Sequence, residues 1–239
     1  ALATELEGKT IAVTGSTGLL GACMVRCLLA LKAQRSINLH IVAVARNMEK
    51  AVHLFGEGRE ELSYYQYDFS STEPFQPKRK VDYLFHFAAP TASKDFVEKP
   101  VETMNTVYMG MQNILNYAEQ AKLESLVLAS TLEVYGTITD DSTPLTEDKQ
   151  GYLDPMATRS SYPLAKRAAE ALCHNYAVEK QVKVKVARLA QTFGAGVSKQ
   201  DNRVFAQFAR SVIHNENIIL HTTGELSRCY CYTTDAISA

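Results

Sequence analysis

Short, continuous apolar runs recur along this chain, and longer amphipathic stretches separate them. KTIAVTG (9–15), LHIVAVA (39–45), LSYYQY (62–67), VDYLFHFAA (81–89), ESLVLAS (124–130) and VKVKVARL (182–189) are mostly rich in Val, Ile, Leu or aromatics and have strand length. GLLGACMVRCLLALKA, residues 18–33, is apolar nearly all round and reads as a helix. Further helices fit at about 47–55, 98–120 and 162–180. Repeated strand–helix–strand units with continuously apolar strands predict an α/β fold, a doubly wound parallel sheet covered on both faces. The polar, turn-rich stretch DDSTPLTEDKQGYLDPMATRSS, residues 140–161, predicts a long loop leading to Tyr162, and a loop of that length is more often functional than idle.

Composition narrows the picture mainly by exclusion. The 239 residues suit one large α/β unit, or one plus part of a second. A hydrophobic content of 46%, 21% charged residues and a net charge of −1 resemble an ordinary globular enzyme and give no electrostatic reason to expect nucleic acid or an anionic membrane as partner. No apolar run approaches the roughly 20 residues that span a bilayer. The opening ALATELEGK lacks the basic start and apolar stretch of a signal peptide, so a cytoplasmic location is expected. Cys23 and Cys27, at i and i+4 of an apolar helix, suit buried thiols, and Cys229 and Cys231 share one face of a strand-like run. A metal site would want more ligands at tighter spacing, so free thiols in a reducing compartment and no metal are expected.

Two short motifs carry the chemistry. TGSTGLLG, residues 14–21, places Gly15, Gly18 and Gly21 between the first strand and the first long helix. The first glycine permits a tight turn, the second lets backbone approach a pyrophosphate, and the third allows close packing of helix on strand. The helix N-terminus adds positive potential for phosphate, as in a Rossmann-type fold. YPLAKRAAE, residues 162–170, sets Tyr162 and Lys166 one helical turn apart on one face, with Pro163 suited to the first turn. Tyr-x-x-x-Lys alone equally describes an ordinary amphipathic helix; its meaning comes from its setting.

That setting resembles the extended branch of the short-chain dehydrogenase/reductase superfamily, the NAD-dependent epimerase/dehydratase family. TGSTGLLG is similar to its nucleotide loop, DYLFHFAAP to its fourth strand, LASTLEVYG to its fifth-strand Ser/Thr motif, and YPLAK to its Tyr-x-x-x-Lys pair. RLAQTFGAG and DNRVF resemble its diphosphate-binding segments. The resemblance runs through almost the whole chain and implies a Rossmann domain over 1–190 and a partial substrate region over 191–239. Family members continue well past TTDAISA, so the C-terminal part of the substrate domain is expected to be missing.

The resemblance also implies roles. Gly15, Ser16, Thr17, Gly18, Leu19 and Gly21 would hold the cofactor, with Ala88 and Ala89 near it and Asp68 and Phe69 on its adenine side. Tyr162 and Lys166 would be the catalytic pair, assisted by Thr131, while Gln191, Arg203 and Arg228 would bind the nucleotide diphosphate or sugar. A nucleotide-diphosphate sugar as substrate and a homodimer follow from the same resemblance. NAD binders usually end the second strand with an acid on the ribose 2′-OH. Here the strand ends Ala45-Arg46-Asn47, with no acid, and Arg46 suits a 2′-phosphate, so NADP or NAD is expected with a leaning to NADP.

A free tyrosine, with a pKa near 10, is a poor base at neutral pH, and a lysine ammonium one turn away favours the phenolate. Leu132 stands where sugar dehydratases of the family resemble Thr-Asp-Glu, and it cannot donate a proton; Glu133 matches the Thr-Ser-Glu of the nucleotide-sugar decarboxylases. Glu133 is equally readable as a buried structural carboxylate. Gln191 and Val107 replace asparagines common in the family. The expected enzyme oxidises a nucleotide-linked sugar transiently at C4 and then epimerises or decarboxylates it. Two alternatives stay open: a net NADPH-dependent reductase of a keto-sugar or other carbonyl, and a cofactor-binding regulator without catalysis.

Overall fold

The computed structural model describes residues 2–139, 144–220, 223 and 227–239. A short α1 (Leu2–Glu5) precedes β1 (Thr10–Thr14), whose five residues are all buried, as a continuous apolar run requires of a central strand. Helix α2 (Leu19–Arg35) follows, ending on Ser36 in the left-handed conformation, with Lys32 and Arg35 complementing the negative end of its dipole. Strand β2 (His40–Ala45) leads to α3 (Met48–Phe55), which Asn47 caps by accepting the Lys50 N–H at 2.8 Å, and then to β3 (Leu62–Gln66).

The second half-sheet comprises β4 (Tyr83–His86), β5 (Ser125–Thr131) and β6 (Val184–Leu189), linked through α4 (Ser93–Glu98), α5 (Pro100–Ala121) and α6 (Ser161–Lys180). The sequence pattern predicts one helix over 98–120; the chain instead breaks at Lys99, held at φ −133° and ψ 54°. Pro100 is the cause, because its ring disfavours helical backbone in the residue before it while suiting the first position of a new helix.

All six strands run parallel in the order β3-β2-β1-β4-β5-β6. The chain therefore winds outward in two directions from β1 and β4, and the crevice at their C-terminal ends is where such sheets take ligands. One core layer packs Val107, Met111, Ile114 and Leu115 of α5 on Leu84, Leu126 and Leu128 of the sheet, with Tyr67, Phe69 and Phe75 beside them. The other packs Val25 and Leu28 of α2 and Phe55 of α3 on Ile11, Val13 and Ile41.

Beyond β6 the architecture changes. β7 (Gln191–Phe193) pairs in parallel with β8 (Tyr230–Tyr232), α7 (Val204–His214) lies between them in sequence, and α8 (Thr233–Ser238) closes the chain against α2. Cys23 is only half-buried and Cys27 is exposed, contrary to the expectation of buried thiols. An all-round apolar helix carries no periodic signal for its inner face; α2 buries Gly21, Ala22, Met24, Val25 and Leu28, which turns Cys27 outward. No helix among the described residues is long and apolar enough to cross a membrane.

Candidate active site

The turn from β1 into α2 is closed backbone against backbone. Gly15 sits at φ 61°, and a Cβ there would stand 2.9 Å from the Ala88 nitrogen and the Phe87 carbonyl carbon of the loop after β4. Its carbonyl accepts the Gly18 N–H at 2.9 Å, while a Cβ on Gly21 would lie 2.2 Å from that same oxygen. Ser16 is fully buried and donates both its N–H (3.1 Å) and its hydroxyl (3.0 Å) to the Val44 carbonyl. Gly18 caps α2 without a side chain, and Thr17 and Leu19 flank it half-buried. A bare backbone turn at a helix N-terminus fits a pyrophosphate, because nothing but N–H groups and helix dipole need face the anion.

Beneath the turn, Thr14 Oγ1 accepts the Ala88 N–H at 3.2 Å and lies 2.9 Å from His86 Nδ1. Burial, and then the charge of Lys166, hold the His86 pKa down to about 3, so its imidazole is neutral. Ala88 and Ala89 are half-buried at the crevice.

At the end of β2, Arg46 is exposed, and its carbonyl accepts Gln66 Nε2 at 3.0 Å. Asp68 caps its own turn, accepting the Ser70 N–H at 2.9 Å and hydroxyl at 2.8 Å. Burial pushes the Asp68 carboxyl up, but those two bonds and the Arg46 charge outweigh it and leave the pKa below its ordinary value. Phe69 is a core residue, edge-on to His86 at 4.9 Å and packed so closely on Gly110 that a Cβ there would come within 3.0 Å of it. Val107 is likewise core.

The catalytic candidates converge where α6 meets the end of β5. Lys166 is buried and donates to the Ala129 carbonyl at 2.8 Å, with its nitrogen 5.9 Å from the centre of the Tyr162 ring. Burial lowers its pKa to about 8. Thr131, the last residue of β5, accepts the Glu133 N–H at 3.3 Å, and its hydroxyl is near enough to favour the Tyr162 phenolate. Burial first, then the Glu133 carboxylate, raise the Tyr162 pKa; the Thr131 hydroxyl and the Arg159 guanidinium pull against them, and the net remains well above ordinary tyrosine.

Two neighbours of Tyr162 escaped the sequence reading. Phe96 of α4 stacks on its ring with centroids 4.3 Å apart and planes 1° apart, and Arg159 lies over Phe96 at 4.9 Å while reaching Glu133 Oε2 at 2.9 Å. Phe96 and Tyr162 are 66 positions apart, and Arg159 falls in a stretch read only as polar loop; no local pattern announces such contacts.

The next turns of α6 tie down the surrounding loop. Arg167 donates to the Val134 and Gly151 carbonyls at 2.5 and 2.7 Å. Glu170 accepts the Ser130 hydroxyl and grips Arg188 of β6 through contacts of 3.0 and 2.7 Å. Arg188 also lies over Tyr135 and donates to the Glu147 carbonyl, beside a cleft of about 370 Å³.

On the far side, Gln191 pairs its N–H with the Cys229 carbonyl in the small sheet. Arg203 is held bidentately by Asp201 at 3.0 and 2.5 Å, donates to the Thr192 carbonyl at 3.1 Å and lies over Phe205. Arg228 is exposed. The structure thus brings Thr131, Glu133, Tyr162 and Lys166 together, whereas among the described residues no hydrogen bond or ion pair links Gln191, Arg203 or Arg228 to them. Asp140 to Thr143, the start of the loop predicted over 140–161, lie outside the described residues.

The model of the NAD dependent epimerase/dehydratase family matches residues 11–239. The chain is 29% identical to UDP-glucuronic acid decarboxylase 1 of Xenopus tropicalis over 98% of its own length and 53% of that protein's. It is 31% identical to UDP-glucuronic acid decarboxylase 1 of Arabidopsis thaliana over 95% of its length and 50% of that protein's. It thus spans about half the length of the curated relatives it matches. Among solved structures, UDP-N-acetylglucosamine 4-epimerase from Methanobrevibacter ruminantium superposes with a TM-score of 0.81 at 18% identity, covering 97% of this chain and 71% of that one. UDP-glucuronic acid 4-epimerase from Bacillus cereus, solved with UDP-glucuronic acid and NAD, superposes with a TM-score of 0.77 at 20% identity, covering 95% and 70%. At those identities the likeness shows the fold.

Proposed function

The chain belongs to the NAD dependent epimerase/dehydratase family, and on that premise we propose that it modifies a nucleotide-diphosphate sugar by transient oxidation at C4, followed by decarboxylation or epimerisation. The observation that carries this reading is the convergence of Tyr162, Thr131 and Lys166, with Glu133 beside them, at the C-terminal edge of the sheet. Gly15, Ser16, Thr17, Gly18, Leu19 and Gly21 would hold the pyrophosphate of the dinucleotide, Asp68 and the main chain of Phe69, whose ring is buried in the core, would serve its adenine side, and Tyr162 and Lys166 would serve its reactive end with Ala88 and Ala89. When bound, NAD or NADP supplies a reversible hydride acceptor.

Every other part of the reaction falls to side chains of this protein. Thr131 orients the sugar hydroxyl and Tyr162 takes its proton, once positive charge nearby offsets the effect of burial on the phenol. Lys166 supplies part of that charge. A 4-keto sugar that bears a carboxylate at C5 loses CO₂ readily and needs no acid at position 132, where Leu132 has none to give. Glu133 matches the decarboxylase-like pattern. Gln191, Arg203 and Arg228 in the 191–239 region take the diphosphate and sugar, Arg203 exchanging Asp201 for phosphate oxygens. A homodimer in the cytoplasm accords with the family resemblance and with five free thiols.

Arg46 refines the cofactor. It stands exposed at the end of β2, where no acid is present to engage a ribose 2′-OH, and a guanidinium there suits a 2′-phosphate, so NADP is favoured. Arg46→Ala should lower NADP affinity roughly tenfold in a fluorescence titration and leave NAD unchanged; equal parental affinities would count against the preference. The same arginine supports a second reading, a net NADPH-dependent reductase. Mass spectrometry of UDP-glucuronic acid incubated with the protein and catalytic cofactor separates the two. Product without net cofactor consumption supports the first reading, stoichiometric oxidation of NADPH supports the second, and no turnover across many nucleotide sugars favours a regulator.

A further inference from the structure

Lys166 and Arg159 lie near Tyr162, and Arg167 and Arg188 hold the surrounding loops; three of these four cations are already committed. Lys166 is buried and bonded to the Ala129 carbonyl. Arg167 spends two nitrogens on the Val134 and Gly151 carbonyls. Arg188 is gripped by Glu170 and bonded to the Glu147 carbonyl. Arg159 differs: its side chain is 44% exposed, and among the described residues its one ion pair is a single contact, Nη1 to Glu133 Oε2 at 2.9 Å. Stacking on Phe96, which in turn stacks on Tyr162, holds the guanidinium at the site, close enough for its charge to favour the Tyr162 phenolate, and leaves most of its N–H groups unspent among the described residues.

Glu133 gives this position its meaning. A carboxylate beside the reacting sugar repels any substrate that is itself acidic at C5. Paired with Arg159 it becomes locally neutral, and the guanidinium fork can still accept a second carboxylate in bidentate fashion. A half-exposed ion pair contributes little to stability, so a ligand carboxylate can share or displace Glu133 at small cost.

We propose that Arg159 is the specificity-determining residue of this site: it receives the carboxylate of a nucleotide-linked uronic acid and cancels the repulsion of Glu133, so that acidic sugars are accepted over neutral ones. The proposal rests on the nucleotide-sugar reading above.

The test is binding of UDP-glucuronic acid and UDP-glucose to the full chain by isothermal titration, in the parent and in Arg159→Gln, Arg159→Lys and the double variant Arg159→Gln/Glu133→Gln. The expected result is a roughly 10- to 100-fold loss of affinity for UDP-glucuronic acid in Arg159→Gln, with UDP-glucose unchanged. Arg159→Lys should lose less, because it keeps the charge without the fork. The double variant should recover part of the loss, because the repelling carboxylate is gone. An equal loss for both sugars, or no loss for either, overturns the proposal and leaves the nucleotide-sugar reading standing. A parent that binds neither sugar overturns both. Near-ultraviolet circular dichroism of Arg159→Gln separates lost recognition from a displaced Phe96–Tyr162 stack.

Discussion

The two ends of the proposed site are built from different materials. At the nucleotide end the working surface is main chain: Gly15, Gly18 and Gly21 bring backbone within contact of backbone, and the buried Ser16 and Thr14 bond to β2 and to the loop after β4. At the sugar end the surface is side chain: Thr131, Glu133, Arg159, Tyr162 and Phe96 meet tip to tip from four separate segments. A backbone cradle has few ways to vary without unfolding the turn that makes it, whereas a side-chain constellation can lose a member and keep its shape. Damage at the first end should therefore appear as lost stability, and damage at the second as lost turnover.

The largest expected effect tests the second half of that contrast. Tyr162→Phe keeps the ring and its stacking on Phe96 and removes only the phenolic oxygen. Turnover should fall roughly 10²–10⁴-fold, with the melting temperature held within a degree or two. Near-parental turnover on an identified substrate would mean that the base has been assigned wrongly.

Gly21→Ala tests the first half. The added methyl meets the Gly15 carbonyl oxygen at 2.2 Å, and both partners are main chain, so the turn or the helix must move. A loss of about 3 kcal/mol in urea unfolding is expected, with poor cofactor binding at temperatures where the variant is still folded. A variant as stable as the parent would break the contrast outright.

Lys166→Met is the exception that sharpens it, a change at the sugar end that should raise stability. Folding buries an ammonium whose pKa falls to about 8 from an unfolded value of 10.5. Below pH 8 the group is charged in both states and the burial penalty is complete. Between pH 8 and 10.5 the folded protein gives up its proton while the unfolded chain keeps it, so the parent should gain stability across that window. The variant should be about 1–2 kcal/mol more stable at pH 7, after allowing for the lost bond to the Ala129 carbonyl, should show no rise across the window, and should turn over poorly. Unfolding curves at pH 7 and pH 10 check all but the last point.

The smallest effect belongs to Thr131→Val, which keeps the β-branched shape of the strand end and removes the hydroxyl that faces Tyr162 and accepts the Glu133 N–H. About a tenfold loss in kcat, with a stability loss of about 1 kcal/mol from the missing cap, is expected from steady-state kinetics and urea unfolding.

How far the sequence could be read follows the same division. The backbone end was legible because its requirements are local: three glycines between a strand and a helix state their purpose in eight consecutive letters. Continuous apolar strands likewise announced the parallel sheet, and Tyr162 with Lys166 share one helix. Phe96, Arg159 and Glu170 were not legible as parts of the site, because each acquires its role from a partner on another element. The strand-like run around Cys229 and Cys231 became β8, whereas its partner β7 was missed because three residues leave no periodicity to detect, and α7 was missed as well; the aromatic cluster of Phe193, Phe205, Tyr230 and Tyr232 forms only across elements. The expected burial of Cys27 failed for the opposite reason, since α2 is apolar on every side.

One helix does more than carry the catalytic pair. Tyr162, Lys166, Glu170 and Cys173 occupy successive turns along a single face of α6, and each engages a different client: the Phe96 ring, the Ala129 carbonyl, the Ser130–Arg188 cluster and the apolar core. Like the teeth of a key, they work only at fixed spacing. A codon gained or lost between positions 162 and 173 turns everything after it by about 100° and disengages every later tooth in one step. Among the described residues, the non-helical stretches 153–157 and 195–200 on either side carry no such common register. Mutational scanning should therefore find length changes tolerated in those segments and lethal in the helix, which makes the flanks the part of this molecule free to drift toward new sugars while the key stays uncut.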